Sequence, residues 1–168
     1  LRENLAAGIL LLAGYDGSQP LLDPMCGSGT FLVEAADIAM HRAPGRQRQF
    51  AFEQWRTLDA AAWAQLKQSV SAAEKSACPQ SIVGNDHDPA MIAISQANLQ
   101  RAGLHGQVQL SSQDLLALRP PHTTGLMVCN PPYGVRQEEL EHLANLYPQL
   151  GDWLKQQFAG WTSCWFTG

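Results

Sequence analysis

A chain of 168 residues with 15 acidic and 11 basic side chains carries a formal charge of −4, which excludes a strongly basic protein that grips nucleic acid by bulk electrostatics. At 45% apolar and 15% charged residues the composition is that of a globular chain, and the length suits one domain with its own core. No run approaches the roughly 18 to 20 apolar residues needed to cross a bilayer, and Leu1-Arg2-Glu3-Asn4 offers neither an initiator Met nor a secretory signal, so the chain reads as a soluble, cytoplasmic, excised piece without a membrane partner.

Leu5 to Leu12 is Ala/Leu-rich, stops at Gly14 and is followed by the turn-forming Asp16-Gly17-Ser18, which predicts a helix and its end. Pro20 to Asp23 predicts a short strand entering a glycine loop, Pro24 to Gly29. From Thr30, Phe31, Ala35, Ile38 and Ala39 recur at helical spacing. The segment His41 to Arg56 breaks the regularity at Pro44-Gly45 and sets Arg42, Arg46, Arg48 and Arg56 against Glu53, the only basic cluster. Asp59 caps a predicted helix running from Ala60 towards Ala77, where Pro79 stops it. Ser81 to Gly84 predicts a second strand that delivers Asn85-Asp86-His87-Asp88 to its carboxyl end, and Asp88-Pro89 opens a helix that ends before Gly103. Val108 to Ser111 predicts a third strand and Gly125 to Cys129 a fourth, leading into Asn130-Pro131-Pro132-Tyr133-Gly134. Glu138 to Phe158 predicts a long helix, unbroken or interrupted at Pro148, and Trp161 to Thr167 a fifth strand. Strands alternating with helices imply an α/β domain with a mainly parallel sheet, which binds ligands beyond the carboxyl ends of its strands. The four cysteines, Cys26, Cys78, Cys129 and Cys164, lie far apart with no C-x-x-C pair, which predicts reduced, buried thiols and neither a metal nor a disulfide framework.

The chemistry concentrates in the loops after those strands. In Asp23-Pro24-Met25-Cys26-Gly27-Ser28-Gly29-Thr30, glycines let the backbone approach a ligand and the helix beginning near Thr30 offers free N–H groups, although an ordinary strand-to-helix turn has the same composition. The loop lacks the Lys of a P-loop and the third Gly of the dinucleotide fingerprint, and an acid before a Gly-x-Gly turn suits a ligand with an amino group. Asp86 stands where nucleotide-binding α/β folds place the acceptor for ribose hydroxyls. Asp88 reads as a helix cap, and His87 either flanks an adenine or is simply exposed. Asp114 is a candidate acceptor for an adenine amino group or a turn residue. Asn130-Pro131-Pro132-Tyr133 is the sharpest signal. Two prolines fix the backbone, the Asn130 side-chain oxygen and the Pro131 carbonyl can accept from an exocyclic amine, and Tyr133 offers a ring for stacking.

Together with Leu1-Arg2-Glu3-Asn4-Leu5-Ala6-Ala7 and Gly84-Asn85-Asp86-His87-Asp88-Pro89, these elements make the chain resemble the class I S-adenosylmethionine-dependent methyltransferases. Among them it is similar to the RNA guanine-N2 enzymes, in particular the guanine-N2 domain of the bifunctional large-subunit ribosomal RNA methyltransferases. The resemblance implies a Rossmann-like fold with helices on both faces of the sheet, cut after about the fifth of seven strands, and one methyltransferase domain over 1–168. It implies S-adenosyl-L-methionine as cofactor, held by Asp23, Cys26, Gly27, Ser28, Gly29, Thr30, Asp86, His87 and Asp114, with Asn4 near the methionine carboxylate. It places the target amine at Asn130, Pro131, Pro132 and Tyr133. It also implies ribosomal RNA as partner and a separate THUMP domain; with a net charge of −4 most of the RNA affinity is expected outside this chain, the arginines of 41–56 making a local contribution.

The Asn-Pro-Pro-Tyr element is shared with adenine-N6 DNA and glutamine-N5 protein methyltransferases, so by itself it implies the reaction type and leaves the substrate open. A non-catalytic cofactor- or RNA-binding module is the reading from another class, against which the joint presence of Asp86 and the intact tetrapeptide argues. A nicotinamide-dependent dehydrogenase is disfavoured by the missing third Gly.

Overall fold

The computed structural model describes residues 1–131 and 137–166, at 137–146 through the backbone alone. Five strands, β1 Leu21–Asp23, β2 Ile82–Asn85, β3 Gln109–Ser111, β4 Gly125–Cys129 and β5 Trp161–Trp165, form one sheet in the order β3-β2-β1-β4-β5, every adjacent pair parallel. The helices are α1 Glu3–Leu12, α2 Thr30–Ala39, α3 Ala60–Ala72, α4 Pro89–Arg101 and α5 Gln137–Gln157, with short 3-10 turns at Ala51–Gln54 and Leu115–Ala117.

Because side chains alternate along a strand, the central strands serve two cores. Leu21, Leu126 and Val128 join Ala6, Ile9 and Leu10 of α1, Phe31, Leu32, Ala35 and Ala36 of α2 and Leu99 of α4 in one cluster. Leu22 and Met127 join Leu115, Leu118, Leu150, Trp153 and Phe158 in the other. The sheet is therefore covered on both faces, which is why β1 and β4 read as unbroken apolar runs. A Cβ at Gly84 of β2 would lie 2.3 Å from Leu32 Cδ1 and 3.0 Å from Leu110 Cδ2, so any side chain there would displace Leu32.

The predicted caps are in place. Asp59 Oδ1 accepts from Ala62 N (2.9 Å) and Asp88 Oδ1 from Ala90 N (2.8 Å), with Pro89 in the first turn of α4. The largest departures from the sequence reading are in two helices. α3 stops at Ala72, short of Ala77; it buries no residue, and the chain beyond it is fixed instead by the Lys75 N–H donating to the Met40 carbonyl at 2.8 Å. Pro148 lies inside α5 without ending it; the missing N–H costs one bond, while Leu150 and Trp153 beyond it are buried against the sheet. Of the cysteines, Cys26 and Cys129 are buried, whereas Cys78 and Cys164 are only half-buried.

Candidate active site

The chain runs outward from β1 through β2 to β3, then returns to place β4 on the other side of β1, so the strand order reverses between β1 and β4. Loops leaving the carboxyl ends of the strands part at such a point and leave a crevice. A cavity of about 340 Å³ lies there, lined by Pro24, Met25 and Gly27 after β1, by Asn85, Asp86, His87, Asp88 and Met91 at the end of β2 and the start of α4, by Leu115 after β3, and by Asn130 after β4.

The glycine loop is built by its backbone. Gly27 adopts φ 52° and Gly29 φ 80°, the left-handed region that glycine enters without a steric penalty. The Gly27 N–H donates to Asp86 Oδ2 at 2.9 Å, the Cys26 N–H to the Asn85 carbonyl at 2.8 Å, and the Gly29 N–H to the Cys26 carbonyl at 2.8 Å. A Cβ on Gly29 would stand 2.8 Å from Ser95 Oγ, so this position requires glycine on two counts. Ser28 and Thr30 face each other through their hydroxyls at 3.3 Å. Cys26 is buried, its Sγ 3.8 Å from Ser95 Oγ, and burial pushes its thiol up to about 12, which leaves it a packing group without nucleophilic character.

Asp86 is 8% exposed and its carboxylate organises its surroundings, accepting from the Gly27 N–H and, at 3.0 Å, from the Asp88 N–H, with His87 Nδ1 at 3.4 Å. His87 itself is exposed and lies at the cavity rim. Asp23 is buried at the end of β1, its Oδ1 accepting from the Met25 N–H at 3.2 Å. Burial raises its pKa to about 8 against the opposing effect of that hydrogen bond, and the neighbouring Asp86 charge adds to the rise.

Gly27, Asp86, His87 and Asn130 are thus brought to one cavity, with Asp23, Cys26, Ser28, Gly29 and Thr30 in or beside the loop that walls it. Asn4, exposed on α1, and Asp114 are not among its lining residues; the Asp114 carboxylate accepts from the Leu116 N–H at 2.8 Å and so caps the 3-10 turn that presents Leu115. Pro131 is buried directly after Asn130, while Pro132 and Tyr133 lie outside the described residues.

Three residues that carry this arrangement escaped the sequence reading as functional groups. Asn85 is 1% exposed and uses both ends of its amide: Nδ2 donates to the Pro24 and Gln113 carbonyls (3.2 and 3.1 Å), and Oδ1 accepts from Ser111 Oγ and Gln113 N (2.9 and 3.2 Å). Ser95 donates to the Gly27 carbonyl at 2.7 Å and Asn98 to the Ser28 carbonyl at 2.8 Å, so one face of α4 holds the glycine loop. Their only local signal is polarity at a spacing of three on an otherwise apolar helix face. Asn85→Ala is expected to lower the unfolding free energy by about 2 kcal/mol, because it strands buried donors and acceptors in three loops; urea denaturation followed by circular dichroism reads this, and an unchanged midpoint would show the amide to be dispensable.

A family model described as the RMKL-like methyltransferase domain matches residues 1–168. The chain belongs to this family. It is 40% identical over 166 residues, 96% of its length, to the protein of Shewanella baltica named ribosomal RNA large subunit methyltransferase K/L, of which it spans 23%. Among solved structures, a protein assigned as a methyltransferase and crystallised with S-adenosylhomocysteine superposes with a TM-score of 0.91 at 34% identity, over 98% of this chain and 44% of that one. A Listeria monocytogenes protein predicted to be an N6-adenine-specific DNA methylase follows at 0.87 and 32%, over 97% of this chain and 43% of that one. The chain therefore spans less than half the length of the curated relatives it matches. The fold of the RMKL-like domain is that of the S-adenosylmethionine-dependent methyltransferases, and the described residues form a sheet of five parallel strands. Among its described residues no three His, Cys, Asp or Glu side chains come together as a metal site, and no helix is long and apolar enough to cross a membrane.

Proposed function

We propose that this RMKL-like domain transfers a methyl group from S-adenosylmethionine to the exocyclic N2 of a guanine in large-subunit ribosomal RNA. The observation that carries the reading is the meeting of the glycine loop, the Asp86 carboxylate and Asn130 at one cavity, each delivered by a different parallel strand. The 40% identity to a protein named for large-subunit ribosomal RNA favours RNA over the DNA in the Listeria relative's name, and guanine N2 is the target that the motif resemblance implies.

The cofactor suits the residues present. Met91 and Leu115 give the cavity apolar wall for a purine, and Asp86 and Asp88 supply acceptors for ribose hydroxyls. The buried Asp23 beside Asp86 is a pair whose charge a cationic ligand would compensate, and the ammonium and sulfonium groups of S-adenosylmethionine are such cations. When bound, S-adenosylmethionine supplies an electrophilic methyl group. The chain's own contribution is positioning: the Asn130 side-chain oxygen and the Pro131 carbonyl accept the two hydrogens of the target amine, orient its lone pair and draw the nitrogen from planar towards tetrahedral geometry. Tyr133 offers its ring to the base, which must leave its helix to be reached, at a cost of a few kcal/mol. Asn4 and Asp114 are proposed to reach the methionine carboxylate and the adenine amine.

Incubation with methyl-tritiated cofactor and unmodified large-subunit RNA, followed by nucleoside mass spectrometry, tests the substrate. N2-methylguanosine is expected, and N6-methyladenosine would replace this reading with a related amine chemistry. For the cofactor, Asp86→Ala is expected to weaken S-adenosylhomocysteine binding in calorimetric titration by roughly 10- to 100-fold, the value of hydrogen bonds to a charged group. Undiminished binding would remove Asp86 from the site.

A further inference from the structure

Between α2 and β2 the chain makes an excursion, residues 41–80, that the cavity does not use. Arg42 donates to the Ala102 and Gly103 carbonyls (3.2 and 3.1 Å), and Arg46 to the Asp37 carboxylate (2.8 Å) and the Ala102 carbonyl (3.3 Å). These two arginines fasten the excursion to the carboxyl ends of α2 and α4. Both helices start at the carboxyl edge of the sheet and run back, so the excursion is anchored at the edge remote from the cavity.

What it presents there is unusual for this chain. It holds six basic and three acidic side chains, whereas the other 128 residues hold five basic and twelve acidic. Four aromatic rings cluster on it: Phe50 stacks on Phe52 (centroids 5.5 Å apart, 16° between planes), Phe52 meets Trp63 edge-on at 5.0 Å, and Trp55 packs on Phe52 at 6.4 Å with 66% of its surface exposed. A cleft of about 800 Å³ opens beside them, lined among others by Arg48, Phe50, Trp63 and Lys67. Lys67 is paired with Glu53, but Arg48 and Arg56 are exposed, and among the described residues neither pairs with a carboxylate. Solvated arginines alone would be an ordinary surface. Arginines that flank an exposed tryptophan and an aromatic cleft, in the one positive region of an acidic chain, match what single-stranded nucleic acid needs, phosphate neutralisation beside a stacking platform.

We infer that the 41–80 excursion is an RNA-contact surface separate from the site of methyl transfer, on which unpaired nucleotides stack at Trp55 and in the adjoining cleft while Arg48 and Arg56 neutralise phosphates. The inference rests on the RNA reading above and extends it. Lying away from the cavity, the surface governs RNA affinity and leaves cofactor binding and turnover at saturating RNA untouched.

The test uses the protein at its full natural length with a 5′-fluorescein-labelled single-stranded RNA 20-mer of mixed sequence, followed by fluorescence anisotropy over a salt series. Trp55→Ala is expected to weaken binding about 10-fold and Trp55→Phe to retain most of it, since one stacked base is at stake. The double variant Arg48→Gln, Arg56→Gln is expected to flatten the slope of log affinity against log salt by roughly 1.4, two single-strand phosphate contacts. All three variants should bind S-adenosylhomocysteine as wild type does. RNA affinity and salt slope unchanged in the variants would overturn the surface while leaving the methyltransferase reading intact. A wild type that binds S-adenosylhomocysteine but not the RNA probe would also overturn it and leave a protein as the class of partner for this face. Variants that behave as expected, in a protein that transfers no methyl group to RNA, would sustain the surface and strike the proposed function alone.

Discussion

Asn130→Ala is expected to lower kcat by about 10²- to 10³-fold, the range found when one preorganised polar contact to a reacting group is removed, while S-adenosylhomocysteine binds nearly as in the wild type. Asn130 follows directly on the fully buried β4, whose register against β1 and β5 fixes where its side chain starts, and it lines the cavity from the side opposite in chain order to the glycine loop. An exocyclic amine of a purine has its lone pair delocalised into the ring. Two acceptors must take its hydrogens along set directions before the nitrogen becomes nucleophilic. Removing the side-chain acceptor leaves the Pro131 carbonyl alone, which can bind the amine but not orient it. Single-turnover rates and calorimetric titration on the same preparations separate the two effects. A parallel loss of cofactor affinity would place Asn130 in the cofactor site.

A second large effect concerns pH. In the folded protein Asp23 keeps its proton up to about pH 8, through burial first and the Asp86 charge besides, whereas the unfolded chain releases it near the ordinary value of 3.8. Between those limits the folded state binds the extra proton, so stability falls as pH rises, by at most about 1.4 kcal/mol per pH unit. Below that window and above it this contribution is constant. Urea midpoints of the ligand-free wild type are therefore expected to decline from pH 5 to pH 8, and those of Asp23→Asn, which cannot titrate there, to lose that decline. A variant whose midpoint falls as steeply as the wild type's would show that the slope comes from another group. Saturating S-adenosylhomocysteine is expected to flatten the wild-type slope too, because an ammonium brought near the carboxylate favours its ionised form.

Much of this architecture was legible in the sequence because it is locally encoded. Leu21-Leu22 and Leu126-Met127-Val128 read as buried strands because both faces of a parallel sheet are covered, and Asp59 and Asp88 announced their helices because a cap and its N–H partner are two or three residues apart. The convergence of Gly27, Asp86 and Asn130 was legible as well, since successive strands of such a sheet deliver their following loops to one edge. What stayed hidden depends on partners distant in sequence. Ser95 and Asn98 meet Gly27 and Ser28 from 68 and 70 residues away, and nothing in α4 declares the pairing. The end of α3 was misplaced for the same reason, because the contact that redirects the chain joins Lys75 to Met40. Asp114 follows β3 as expected, and its carboxylate accepts from the Leu116 N–H of the next turn, the turn role that the sequence also offered for it.

The amide of Asn85 gives the pocket a mechanical character. One side chain bonds to the Pro24 carbonyl, to Ser111 and to both backbone groups of Gln113, so the loops behind three neighbouring strands share a single fastening. A loop that swings aside must first break its own bond to this amide. The floor of the crevice is thus braced by a buried amide, whereas the rim, where His87 stands exposed, carries no such brace from Asn85.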